Sequence, residues 1–388
     1  MSTRRVVAAL FFIALLLAAA ALWRLVHKPQ TNALLLSHAH FSDLEGWNYA
    51  DPQGALAAFV RSCGVMMAAP PETPVGAYAG TVADWRTACD AAGKADANAA
   101  RDFFEQWFAP MAVTGDALFT GYYEPELHAS PARHGRYQTP VYGLPADLIT
   151  VDLGRFSDKF KGEHIAGRVE NQRLVPYPTR ADIDMDGMRA AKTLFYADDP
   201  VAVFFLHVQG SGRVTFDDGT TARVAYAGQN GRPYTAIGRT LIAEHALTKD
   251  KTSLQTIRAW LLAHPDRARA VMESDASFVF FKEAPVGDPA LGAVGSEGVA
   301  LTPQASIAVD AKVHPLGAPF FAATTLPGGR AKFDRLFIAQ DTGGAITGPT
   351  RADVFFGFGP RAESLAGEMK QAGRLYVLLP KPVAARIR

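Results

Sequence analysis

The sequence predicts a mainly β protein with several helices, arranged in two domains. Its 388 residues are too many for one small domain and suit two. Helical spacing dominates before residue 108, whereas short strands and turns dominate from Leu118 onward. Gly and Pro punctuate the last hundred residues at short intervals, as in a barrel or sandwich. With 48% apolar and 20% charged residues, the chain can bury a sizeable core. A formal net charge of +1 implies no basic surface for nucleic acid. Two cysteines are too few for a disulfide scaffold or a Cys-rich zinc module.

The N-terminus reads as an address. No acidic residue precedes Asp43, while Arg4, Arg5, Arg24 and Lys28 are basic. Without those four, 35 basic residues face 38 acidic ones, so the main body is mildly acidic. Arg4 and Arg5 precede an apolar run at 6–26, broken only by Arg24, which has the form of a Sec-type signal. Residues 1–30 are therefore expected to be either a cleaved signal or an uncleaved inner-membrane anchor held by 6–26. No cysteine follows the run, so there is no lipobox. Export into an oxidising compartment lets Cys63 and Cys89 pair, worth roughly 3–4 kcal/mol on a chain-entropy estimate.

Along the body, 34–64 reads as an entry segment and then a helix, with Leu56, Phe59 and Val60 at helical spacing. Prolines 70, 71 and 74 make a loop. Helices follow at 85–92 and 97–108, the second with Phe103, Phe104, Trp107 and Phe108 on one side. A strand is expected at 119–123, stopped by Pro125, and another at 201–209, V-A-V-F-F-L-H-V-Q, ended by Gly210. Residues 214–226 read as a hairpin with Asp218-Gly219 in the turn. Thr252 and Gln255 match a capping box for a helix at 252–264 that Pro265 ends. From Phe278 the chain is expected to be β-rich to its end, with strands at 306–309, 320–323, 336–340 and 375–379.

Three segments carry candidate chemistry. They are F-T-G-Y-Y-E-P-E at 119–126, then V-Q-G-S-G-R at 208–213 with Y-A-G-Q-N-G-R-P-Y-T-A-I-G-R at 226–239, and finally Asp310 with D-T-G-G-A-I-T-G-P-T-R-A-D at 341–353. Glycines allow close backbone approach, hydroxyls and amides supply neutral hydrogen bonds, and Tyr and Phe supply stacking faces. That mix suits a sugar polymer and, lacking a phosphate loop, suits a phosphate ligand poorly. Asp353, flanked by Ala352, Val354, Phe355 and Phe356, is placed where burial would raise its pKa, as a general acid needs. Asp341 sits among Thr342, Gly343 and Gly344, whose free N–H groups would keep it ionised. Glu124 and Glu126 read as turn residues. The histidines show no metal spacing, so neither a metal nor a cofactor is expected.

Together these segments resemble the MltA family of lytic murein transglycosylases. The resemblance rests on F-T-G-Y-Y-E-P-E-L, V-Q-G-S-G-R, the 226–239 motif, S-L-Q-T-I-R-A-W and F-V-F-F-K in the same order. The last hundred residues resemble the family's C-terminal 3D region, with Asp310, Asp341 and Asp353 at its three aspartates. The resemblance implies a double-ψ β-barrel built from 36–128 plus 278–388, a β-rich domain inserted at 129–277, and a groove between them for a peptidoglycan glycan strand. It implies a peptidoglycan lytic exotransglycosylase, a lyase that cuts the β-1,4 bond from MurNAc to GlcNAc without water and leaves a 1,6-anhydro end. One acid suffices, first as acid and then as base, because the nucleophile is intramolecular. Asp353 is the expected acid, with Asp341 and Asp310 orienting it or the substrate. Thr120, Tyr122, Gln209, Ser211, Tyr226 and Tyr234 are expected to line the groove. The expected location is the periplasm or envelope of a Gram-negative bacterium. Two alternatives stay open: an inverting hydrolase using a second carboxylate, and a non-catalytic wall-binding protein. Endo against exo action, protein partners and oligomeric state stay open too.

Overall fold

The computed structural model describes residues 34–329 and 331–387. The apolar run at 6–26 lies outside the described residues. Among the described residues no helix is long and apolar enough to cross a membrane.

The first helix, Gln53–Met66, forms where Leu56, Phe59, Cys63 and Met66 recur at three- and four-residue spacing and bury together. Val60 turns outward. The next helix, Val82–Ala92, opens with a Thr81–Asp84 capping box. The two are joined by the Cys63–Cys89 disulfide and by the Phe59 and Trp85 rings, whose centroids lie 6.3 Å apart. Phe103, Phe104 and Phe108 complete this aromatic cluster. The third helix ends at Trp107, and Phe108 opens a strand rather than closing the helix. The disulfide closes a separation of 26 residues. Replacing both cysteines with serine is expected to cost about 3–4 kcal/mol, read as a lower midpoint in urea unfolding.

Eight strands form the largest sheet, and six of them close a ring. The ring contains Ala117–Glu124, Ser306–Val309, Pro319–Ala323, Arg335–Asp341, Arg351–Phe358 and Lys370–Pro380. The long last strand closes it, pairing with Ala117–Thr120 through Lys370–Gly373 and with Phe320–Ala323 through Arg374–Val377. Both ends of the described chain thus build the expected barrel. Strand directions place its chemistry at one rim. Ser306–Val309 runs parallel to Arg335–Asp341 and antiparallel to Arg351–Phe358, which runs parallel to Ala117–Glu124. In that register Ala308 lies opposite both Asp341 and Asp353, and Asp353 lies opposite Thr120.

A second sheet of six strands runs Val279–Ala284, Thr221–Gln229, Ser211–Phe216, Glu126–Ser130, Thr193–Ala197 and Thr139–Tyr142. The chain passes from the barrel into this sheet at Pro125. It leaves after Ala284, so 126–130 and 279–284 pair here and not in the ring. A third sheet of three strands, Ile149–Asp152, His164–Glu170 and Arg173–Pro176, stands apart from both.

The strand expected at 201–209 is a helix, Pro200–Gln209. Asp199 caps it by accepting from the Val201 N–H at 2.8 Å, Pro200 fits its first turn, and Gly210 ends it at φ +79°. The run is apolar all round because two faces are covered. Val203 and Leu206 enter the core of the six-stranded sheet, and Val201, Phe204 and Phe205 pack on Ile237, Leu241, Leu261 and Met272. Burial on two sides removes the helical period and leaves a pattern that also fits a buried strand. The capping box near 252 is shifted by one residue: Ser253 and Thr256 form it, while the Thr252 hydroxyl donates to the Thr248 carbonyl. Pro265 ends that helix and also opens the next, Pro265–Glu273. Near the chain's end the expected β run is interrupted by the helices Gly359–Glu368 and Lys381–Ala384.

Candidate active site

The barrel rim gathers a hydrogen-bonded group around Asp353. This residue sits on Arg351–Phe358, and its Oδ1 accepts from the Thr120 hydroxyl on the neighbouring strand. Arg351 Nη2 donates to the same Thr120 hydroxyl at 2.7 Å, so the threonine is oriented from one side and donates on the other. Asp353 Oδ2 takes no hydrogen bond from the protein among the described residues. Burial pushes the Asp353 carboxyl up from 3.8 to about 6; the Thr120 hydrogen bond and the Arg351 charge pull it down, and Asp341 adds a further upward push. A half-protonated carboxyl at mildly acidic pH can act as acid and base in turn.

The other two aspartates are engaged differently. Asp341 Oδ1 accepts from Ser296 N at 3.0 Å, Ser296 Oγ at 2.8 Å and Thr342 N at 2.9 Å, and its Oδ2 accepts from the Tyr122 hydroxyl at 3.0 Å. Asp310 Oδ1 accepts from Lys312 N at 3.0 Å and its Oδ2 from Gly348 N at 2.7 Å. Asp310 thereby fixes the loop leading into the Asp353 strand. His314 supports the same loop: its Nε2 donates to the Pro349 carbonyl at 2.7 Å while its Nδ1 accepts from the Tyr78 hydroxyl at 2.7 Å. Burial holds His314 below its usual pKa, consistent with this neutral tautomer. Burial, reinforced by Asp341 and Asp353, likewise pushes the Tyr122 phenol far up, so it stays a donor.

Of the expected groove residues, Thr120 and Tyr122 bond directly to the aspartates. Gln209 lies one step away: at the C-terminal end of its helix it accepts from the Tyr123 N–H at 3.1 Å. Ser211, Tyr226 and Tyr234 lie on the six-stranded-sheet side, outside this hydrogen-bonded group, with Tyr226 and Tyr234 about half exposed. Ser296, Arg351, Tyr78 and His314 were not foreseen. Only Arg351, two residues before Asp353, carried a local signal. Glu124 is no turn residue: it is fully buried between Arg213 and Arg223. Two cavities lie elsewhere, one of about 720 Å³ against the three-stranded sheet at Arg168, Glu170 and Val175 and one of about 730 Å³ beside the six-stranded sheet, and none of the three aspartates lines either. The chemistry at the rim, not cavity size, marks the site.

Two family models match this chain. The MltA specific insert domain matches residues 118–282 and the 3D domain matches residues 305–379. A lytic murein transglycosylase structure from Agrobacterium tumefaciens superposes with a TM-score of 0.81 at 32% identity, covering 91% of this chain and 99% of that one. The chain belongs to the MltA family. The membrane-bound lytic murein transglycosylase A of Vibrio cholerae is 35% identical over 274 residues, covering 68% of this chain and 66% of that protein. An Escherichia coli MltA with bound chitohexaose matches with a TM-score of 0.62 at 27% identity, covering 84% of this chain and 90% of that one. Membership in the MltA family places this chain among the lytic transglycosylases. Its barrel and inserted sheet are the MltA architecture.

Proposed function

We propose that this MltA-family chain cuts the β-1,4 bond between MurNAc and GlcNAc of peptidoglycan, with Asp353 as the single acid and base. Asp353 donates its proton to the glycosidic oxygen as the bond to C1 breaks. The muramic C6 hydroxyl then closes onto C1 and returns its proton to the Asp353 carboxylate. The product carries a 1,6-anhydro end and no water is consumed. The intramolecular hydroxyl is already positioned, which removes the need for a second carboxylate to activate water.

One observation carries this reading. Asp310 and Asp341 each spend both oxygens on protein donors, and of the three aspartates only Asp353 keeps an oxygen free of partners among the described residues. A two-carboxylate hydrolase would need a second free oxygen. In this reading Asp341 holds Tyr122 and Asp310 holds the 348 loop, so both position the acid. Thr120, Tyr122, Gln209, Ser211, Tyr226 and Tyr234 line a groove between the barrel and the inserted domain that takes the glycan strand. The relatives' membrane-bound names support a place in the cell envelope. Delivery there by a Sec-type leader belongs to the same proposal.

The test is mass spectrometry of muropeptides released from purified sacculi by the full chain in detergent. Products lighter than hydrolytic ones by the mass of one water, with no reducible end, are expected. Reducible ends would replace this reading with hydrolysis. Tight binding to sacculi without release would leave a wall-binding protein.

A further inference from the structure

The three-stranded sheet leaves its apolar face uncovered. Its pairing sets Val151 opposite Ile165 and Val169 opposite Leu174, with Ile149 and Pro176 flanking Gly167. Opposed residues of an antiparallel pair share a face, so this face carries no polar side chain. It is open to solvent: Ile149 is 39% exposed, Ile165 45%, Val169 58% and Leu174 41%. The other face is polar and only partly covered: Thr150, His164, Glu170 and Arg173 are exposed, while Asp152, Ala166, Arg168 and Val175 are half-buried. There Arg168 pairs with Glu170 and lies 6.0 Å from the Tyr177 ring centroid, and Ala166 sits so close to Gly231 that a Cβ there would come within 2.8 Å of it. A sheet resting on a core buries its apolar face.

The loop at one end of this sheet, 153–163, continues the pattern. Phe156 is 78% exposed and Phe160 44%, and Arg155, Lys159 and Lys161 are exposed among them. Lys159 Nζ lies 5.9 Å from the Phe160 ring centroid. Arg173 stands exposed at the opposite turn. Among the described residues none of these four cations is in an ion pair, whereas Glu163 pairs with Lys312 and Glu170 with Arg168. Only Asp152 and Asp158 offset them locally.

We propose that this apolar face, tipped by Phe156 and Phe160, docks the protein onto an anionic phospholipid bilayer. Aliphatic and phenyl groups enter the acyl boundary while the interleaved cations meet lipid phosphates, the composition that interfacial elements use. A second copy fits less well, because either two-fold pairing of this face sets cationic turns against cationic turns. A glycan fits less well, because the face offers its hydroxyls no donor or acceptor. The Glu163–Lys312 pair, 3.6 Å, ties the loop beside Asp310, so docking would hold the barrel rim at the membrane surface.

The experiment uses the full chain with Phe156→Trp. Its fluorescence is compared with the parent protein, to subtract the five native tryptophans, on phosphatidylglycerol vesicles with brominated acyl chains. A blue shift and bromine quenching of the added Trp are expected, both absent on phosphatidylcholine vesicles. Adding Lys159→Ala and Lys161→Ala should raise the lipid concentration needed for half-maximal quenching about thirtyfold, equivalent to about 1 kcal/mol per cation. Phe156→Asp with Phe160→Asp should leave the release of products from soluble glycan fragments unchanged. No quenching on anionic vesicles overturns the proposal. So does a blue shift produced by glycan fragments or by raising protein concentration without lipid, which would assign the face to substrate or to a second copy.

Discussion

Asp353→Asn is expected to fold normally and to lose about two to four orders of magnitude in the rate of anhydro-muropeptide release, the range for removing a general acid–base. Asparagine keeps the shape and can still accept the Thr120 hydroxyl, so the loss reports the proton and not the packing. The parent enzyme's pH profile should share the cause. The acid must start protonated, and its carboxyl is pushed up to about 6, so kcat/KM should be highest below that value and fall as pH rises through it. Thr120→Val removes a bond that holds the carboxyl down and should move this falling limb to higher pH. Stability runs with the same sign. A carboxyl raised in the folded state favours folding most below the unfolded value near 3.8, and that advantage is lost as pH rises through about 6. The Asn variant should therefore match the parent in urea at low pH and exceed it above pH 6. If Asp353→Asn instead keeps near-parental turnover, the acid is another residue.

Much of this site was legible in the chain because its signals are local. Asp353 lies among apolar neighbours and Asp341 opens a Gly-rich turn; Thr120 and Tyr122 alternate on one strand, which sends both to the same face. What stayed hidden depends on distant pairing. Nothing near Ser296 tells that it will donate twice to Asp341, 45 residues later. The same holds for Tyr78 and His314, which are 236 residues apart. The helix at 200–209 resembles a strand for a different reason: covering it on two sides removes the period that distinguishes helix from strand. Glycine at 121 has a reason that only packing reveals. A Cβ there would come within 2.8 Å of the Ala366 backbone, so the strand bearing Thr120 and Tyr122 lies tight under the Gly359–Glu368 helix.

Glu124→Ala is expected to cost about 3–5 kcal/mol of stability, the scale for leaving a buried charge without its partner. Glu124 ends the barrel strand just before the chain crosses at Pro125, and it is fully buried. Arg213 Nε lies 3.0 Å from its Oε2 and Arg223 Nε 3.6 Å from its Oε1, both reaching over from the six-stranded sheet. Burial pushes the Glu124 carboxyl up, and the two guanidiniums oppose that push. The arginines have further duties. Arg213 donates to the Pro289 and Leu291 carbonyls and lies over the Phe358 ring; Arg223 donates to the Leu291 and Gly292 carbonyls. One carboxylate therefore compensates two cations that bind the barrel strand to the inserted sheet and to the 289–292 segment. Removing it strands Arg223, which is 5% exposed, more severely than Arg213, which reaches solvent. Glu124→Gln keeps hydrogen-bonding capacity without charge and should cost less than Glu124→Ala. Glu124→Leu combined with Arg223→Met should recover most of the loss, because an apolar pair needs no compensating charge. Urea midpoints of the single and double variants decide this. Simple additivity of the two substitutions would mean that the carboxylate does not compensate the arginine and that the joint is held by packing alone.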